Sequence, residues 1–152
     1  MRLGQSSLLL SAALFWPDAR YVSSYVRWTG PRGKERRIGK PWKWPQFQRY
    51  MVTAHVGSMH HRELFEVYGN YDASLRIVAD YEFLLRAGAG LKAAFLPVVT
   101  AVMRGGGVSD SLVSIDETTL VKVRTGKRNR MLARLERVAA RLMFCLRRGA
   151  WR

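Results

Sequence analysis

The chain has 152 residues, of which 26 are Lys or Arg and 11 are Asp or Glu, for a formal charge of +15, with 48% apolar residues and 11% aromatics. That mixture excludes a disordered or collagen-like chain, and the length allows one hydrophobic core with little room for a second. A single cysteine, Cys145, excludes an internal disulfide framework and any Cys-x-x-Cys metal or redox site, and no apolar run approaches the roughly 18 residues that cross a bilayer.

Residues 8–16 predict a short core helix covering part of a sheet. Ser11, Ala12 and Ala13 have the composition of a secretory cleavage site but fall inside the apolar run instead of after it. Over residues 21–28, β-branched and aromatic residues alternate with a period of two, which predicts a strand. Gly30, Pro31 and Gly33 supply a turn, and residues 35–38 a return strand that Gly39 and Pro41 end, making a hairpin. Residues 47–56 are apolar, and periodicity leaves their type open. Residues 62–68 predict a helix stopped at Gly69, and residues 80–86 a second one halted by Gly88 and Gly90. Residues 95–103 read as a strand, broken by the triplet Gly105, Gly106, Gly107 and a polar loop over 108–111.

Residues 128–148 give the clearest helix. Met131, Leu135, Val138, Leu142 and Cys145 recur at alternating steps of four and three, and Arg130, Arg134, Arg137, Arg141 and Arg148 set an arginine stripe beside this apolar one. Two readings stay open for that helix: a coiled-coil or core-docking helix, or residence at an anionic membrane surface. The class is α/β, a mixed sheet with flanking helices plus a basic C-terminal amphipathic helix, divided into a domain over 1–119 and a helical tail over 120–152. Charge follows the same division: residues 20–49 carry +8, residues 50–119 carry −3 and residues 120–152 carry +10. An acidic, aromatic centre between basic flanks fits a cleft domain with cationic attachments better than a uniform nucleic-acid sleeve.

Asp80 lies at a predicted helix start, where free N–H groups favour an ionised carboxylate, so it is either a plain cap or a base. Glu82 sits about 200° further round that helix and cannot share a face with it. His55, His60 and His61 lack a carboxylate or cysteine at metal-ligand spacing, so no metal site is assigned. The glycine triplet offers amides to a phosphate but has no Walker lysine after it, and a loop needing positive φ explains it as well. Residues 36–44 interleave cations with Trp42 and Trp44 as single-strand nucleic-acid binders do, which makes a basic nucleic-acid-binding module the alternative reading.

The ordered succession of His55, the run Arg62-Glu63-Leu64-Phe65, then Gly69-Asn70-Tyr71-Asp72, Ala79-Asp80-Tyr81-Glu82 and Gly106-Gly107-Val108-Ser109 resembles the second half of family 2 glycosyltransferases, over about residues 20–111. The resemblance implies a GT-A fold and an inverting transfer from a nucleotide-sugar donor to a glycan or lipid-linked acceptor hydroxyl. It implies Asp80 as general base, with His55, Gly106, Gly107 and Ser109 lining the substrate cleft. It further implies a divalent metal, Mg or Mn, and, joined to the arginine stripe of the tail helix, a cytoplasmic location peripheral on the inner face of the membrane. No Asp-x-Asp, the family's metal and diphosphate ligand, occurs in these 152 residues, so the expectation is the acceptor half only, either part of a longer gene or a decayed or split remnant, with an exposed apolar or cleft-like surface where the donor half would lie.

Overall fold

The computed structural model describes residues 14–30 and 33–149, and the helix expected over residues 8–16 lies for the most part outside them. The described residues form a mixed α/β structure around one central strand, β1 (Tyr21–Thr29). On one edge β1 pairs in parallel with β4 (Ala93–Arg104) along its whole length. The other edge is shared end to end. β3 (Ser58–His60) pairs antiparallel with the first third, Tyr21 opposite His60, and β2 (Glu35–Ile38) pairs antiparallel with the last third, Val26 opposite Ile38 and Thr29 opposite Glu35. The register of the β1–β4 pair shifts at Ser24 and Tyr25, where β3 has ended and β2 has not begun. Gly39 crosses β1 at that place with φ +97°, and a Cβ on it would stand 2.6 Å from the Ser24 carbonyl oxygen, so the passage requires glycine.

Five helices complete the described fold: α1 (Trp44–Phe47), α2 (Glu63–Tyr68), α3 (Ala79–Ala87), α4 (Leu112–Arg124) and α5 (Arg130–Gly149). The main core gathers Tyr21 of β1 with Phe47, Leu64, Phe83, Leu84, Leu85 and Val121, one or more from each of α1 to α4. Trp42 and Trp44 pack on this core, the Trp42 ring 4.1 Å from that of Phe47, while Arg36 and Arg37 lie over the rings of Trp28 and Tyr25. Arg36, Arg37 and both indoles of residues 36–44 are thus engaged with the protein's own rings. Helix α4 begins at Ser111, whose hydroxyl accepts from Ser114 N, and it runs through residue 120, with Val121 fully buried in the main core. Val98, Val99 and Val102 of β4 are exposed. Among the described residues no helix is long and apolar enough to cross a membrane.

Candidate active site

His55 and Asp80, 25 positions apart in sequence, meet in space: His55 Nδ1 lies 3.5 Å from Asp80 Oδ2. Each is held by a local device. His55 opens a single 3-10 turn, His55–Gly57, that leads into β3. Gly57 packs so closely on β1 that a Cβ would lie 2.5 Å from Val26 Cγ2 and 2.8 Å from Ser24 Oγ. The Ser24 hydroxyl donates to Gly57 O and the Ser58 hydroxyl donates to His55 O, so the turn is tied to the shifted region of β1 and to its own exit.

Asp80 is the second residue of α3, and the structure gives the capping task to another group. The residue before the helix, Val78, has no side chain that can cap. In its place Glu117 of α4 brings a carboxylate to three successive amides, accepting from Arg76 N at 3.1 Å, Ile77 N at 2.9 Å and Val78 N at 3.2 Å. The negative charge that a helix N-terminus favours is therefore supplied from 39 residues away. Asp80 Oδ1 accepts from Tyr81 N, and the Oδ2 edge is left facing His55. The Asp80 side chain is 22% exposed and that of His55 is 51% exposed, so the pair stands at the surface with the carboxylate more withdrawn.

Under the pair lies a floor of rings. His60 packs 5.1 Å from Tyr21, 5.8 Å from Phe83 and 6.0 Å from His55, and Tyr71 packs 5.1 Å from Phe83. This apolar bed sets the electrostatics. Burial raises the Asp80 carboxyl above its ordinary value, against the pull of His55 and the Tyr81 amide. Burial, and then the neighbouring His55, lower the His60 imidazole to about 4. Burial pushes the Tyr21 phenol up to about 12, and raises Tyr71 with Asp80 adding to the effect. The Tyr21 hydroxyl lies near Thr53 and Ser58 without closing a hydrogen bond, and Thr53 Oγ1 and His60 Nε2 are likewise buried without a partner.

The other carboxylate of α3 is committed elsewhere. Glu82 is buried, accepts from Arg86 and from the Thr125 hydroxyl, and faces the end of α4, on a different side of the helix from Asp80 as the 200° separation requires. The glycine loop is folded on itself and on the far end of β1. Gly105 N donates to Thr29 O, and its missing side chain makes room for the indole of Trp28, which a Cβ would approach to 2.4 Å. Gly106 has φ +85°, Asp110 N donates to Gly107 O, and the Ser114 hydroxyl donates to Ser109 O. Among the described residues no hydrogen bond or ion pair joins Gly106, Gly107 or Ser109 to Asp80 or His55.

Sequence reading missed Glu117, Tyr71 and the buried role of His60. Glu117 sits among β-branched residues that hide α4, and nothing near Tyr71 in sequence marks it as a neighbour of Asp80. Among the described residues no group of three His, Cys, Asp or Glu side chains converges as a metal site. The described residues around Asp80 offer one carboxylate and two imidazoles, one of them with its Nε2 buried, and do not fit a divalent ion. No protein-family model matches the sequence, and no curated protein matches it.

Proposed function

We propose that this chain carries the acceptor side of an inverting glycosyltransferase of the family 2 type, in which Asp80 is the general base. The observation that carries the reading is the partly exposed Asp80 carboxylate, raised by burial and held 3.5 Å from His55 above a bed of aromatic rings. An alcohol is a poor nucleophile until a base within hydrogen-bond reach takes its proton during attack, and a carboxylate with a raised pKa is the better acceptor of that proton. The acceptor hydroxyl gives its proton to Asp80 as its oxygen bonds to the sugar C1, and the bond from C1 to the nucleoside diphosphate breaks with its electron pair leaving on the diphosphate. His55 orients the carboxylate, and the face of Tyr71 offers an apolar surface beside it on which the C–H face of a sugar packs. The reading places the reaction in the cytoplasm. The donor diphosphate and any metal neutralising it would be held by groups outside this set.

The test reads the DNA ahead of the Met1 codon, in frame and on adjacent genes, for a segment carrying Asp-x-Asp. The protein joined or mixed with that segment is then assayed for release of nucleoside diphosphate from a panel of nucleotide sugars. Asp80→Asn is expected to lower turnover by about 10² to 10⁴. Absence of any such segment, unchanged turnover in Asp80→Asn, or a larger loss in Glu82→Gln would refute the reading.

A further inference from the structure

The longest helix of the described fold is docked with its apolar side outward. At about 100° per residue, Met131, Leu135, Val138, Leu142 and Leu146 of α5 fall within one sector of about 80°. These five are 72%, 65%, 56%, 61% and 72% exposed. The opposite side holds the helix to the body through small and charged residues. Ala133 is fully buried, Glu136 accepts from Lys122 and Arg128, and Arg137 and Arg141 both donate to Asp116 of α4. A surface helix ordinarily turns its apolar stripe to the core and its charges to water. Here ion pairs have taken the docking face and about four turns of apolar surface are left outside.

The charges along the flank say what covers that surface. Arg130 and Arg134, which have no carboxylate partner among the described residues, line a groove of about 690 Å³ between α4 and α5 together with Leu120, Val123, Arg124 and Arg137; its one carboxylate, Asp116, is paired with Arg137 and Arg141. The one carboxylate of α5, Glu136, is turned to the body. A second copy of the chain is a poor occupant. In heptad terms Arg134 borders the stripe on one side, with Arg141 next to it turned to Asp116, and Leu132 and Ala139 border it on the other, so no acidic residue of the helix flanks the stripe to pair across it, and an antiparallel dimer would set arginine against arginine. An anionic lipid surface meets both requirements, phosphates for the arginines and acyl chains for the stripe.

We propose that α5 lies in the headgroup region of an anionic bilayer, with Met131, Leu135, Val138, Leu142 and Leu146 toward the acyl chains and Arg130 and Arg134 on lipid phosphates. The proposal does not depend on the glycosyl-transfer reading. Deleting the helix is a poor test, because it removes the Glu136 partner of the buried Lys122; substitutions on the exposed faces avoid this. The full chain is floated with vesicles of phosphatidylcholine alone and with vesicles containing phosphatidylglycerol, at rising salt. Binding is expected only to the anionic vesicles and is expected to weaken with salt. A basic residue near such a surface is worth about fivefold in partitioning, so Arg130→Gln with Arg134→Gln should lower binding about thirtyfold. Leu135→Ser with Leu142→Ser should abolish it while leaving the urea midpoint in place.

Cys145, the one cysteine, is exposed on the border of the same face, and an environment-sensitive fluorophore on it should shift to the blue when anionic vesicles are added. Failure to float with anionic vesicles would overturn the proposal. So would equal, salt-independent binding to neutral vesicles, an unshifted label on bound protein, or a dimer in sedimentation equilibrium that the leucine substitutions dissolve.

Discussion

Replacing His60 by phenylalanine should remove much of the acid sensitivity of the fold. The imidazole is packed among Tyr21, Phe65 and Phe83, its Nε2 is buried without a partner, and it titrates at about 4 against an ordinary 6.5. Because the folded protein holds this base neutral, its contribution to stability is complete above about pH 6.5 and is lost as pH falls toward 4, where the unfolded chain takes up a proton that the folded one refuses. The drop from 6.5 to about 4 amounts to about 3.5 kcal/mol, of which about 2.5 is gone by about pH 4.5. Phenylalanine keeps a ring in the same bed, strands no hydrogen-bond partner and cannot titrate. Urea unfolding of both proteins at about pH 7.5 and about pH 4.5 gives the difference of differences, expected to be about 2 to 3 kcal/mol in favour of the variant at acid pH. Titration of the imidazole by NMR reads the same quantity directly. An acid loss as large in His60→Phe as in the natural protein, or an imidazole titrating near 6.5, would show that the floor under Asp80 is open to water.

Glu117→Ala removes the carboxylate that serves the amides of residues 76–78. It should cost about 1 to 3 kcal/mol in urea unfolding, with faster amide exchange at the start of α3 and no comparable change in β4. Glu136→Ala leaves the buried Lys122 ammonium without its 2.7 Å partner and should cost about 3 kcal/mol, whereas Lys122→Met combined with Glu136→Met should recover most of the loss. Asp80→Asn, beyond its expected effect on turnover, should stabilise the fold at neutral pH. A carboxyl raised by burial gives its full stability below its unfolded value near 3.8 and loses it as pH rises through the folded value, so the gain should vanish when both proteins are unfolded at acid pH. Equal unfolding midpoints for the two proteins across that range would show that burial does not strain the carboxylate.

Local pattern determined much of the architecture. The two-residue alternation over 21–28 produces β1, Gly30 and Gly33 turn it back into β2, Gly69 and Gly88 end α2 and α3, and the four-three rhythm after residue 130 produces α5, because each depends on neighbours a few positions apart. Helix α4 was not legible: Val113, Ile115, Thr118, Thr119, Val121 and Val123 are β-branched, and burial of Val121 in the core overrides their weak helix preference. The site was legible in part, since Asp80 and His55 stood out as residues, yet the 3.5 Å between them arises from the packing of Gly57 on a shifted strand and the start of α3 on Glu117. Tertiary structure alone decided which side of α5 faces inward. Periodicity fixes that a helix has an apolar stripe, but α4 presents the buried Lys122, and an ammonium withdrawn from water must be met by a charge, so Glu136 took the inner side, the more exposed Arg137 and Arg141 pair with Asp116 at its edge, and the stripe was left outside.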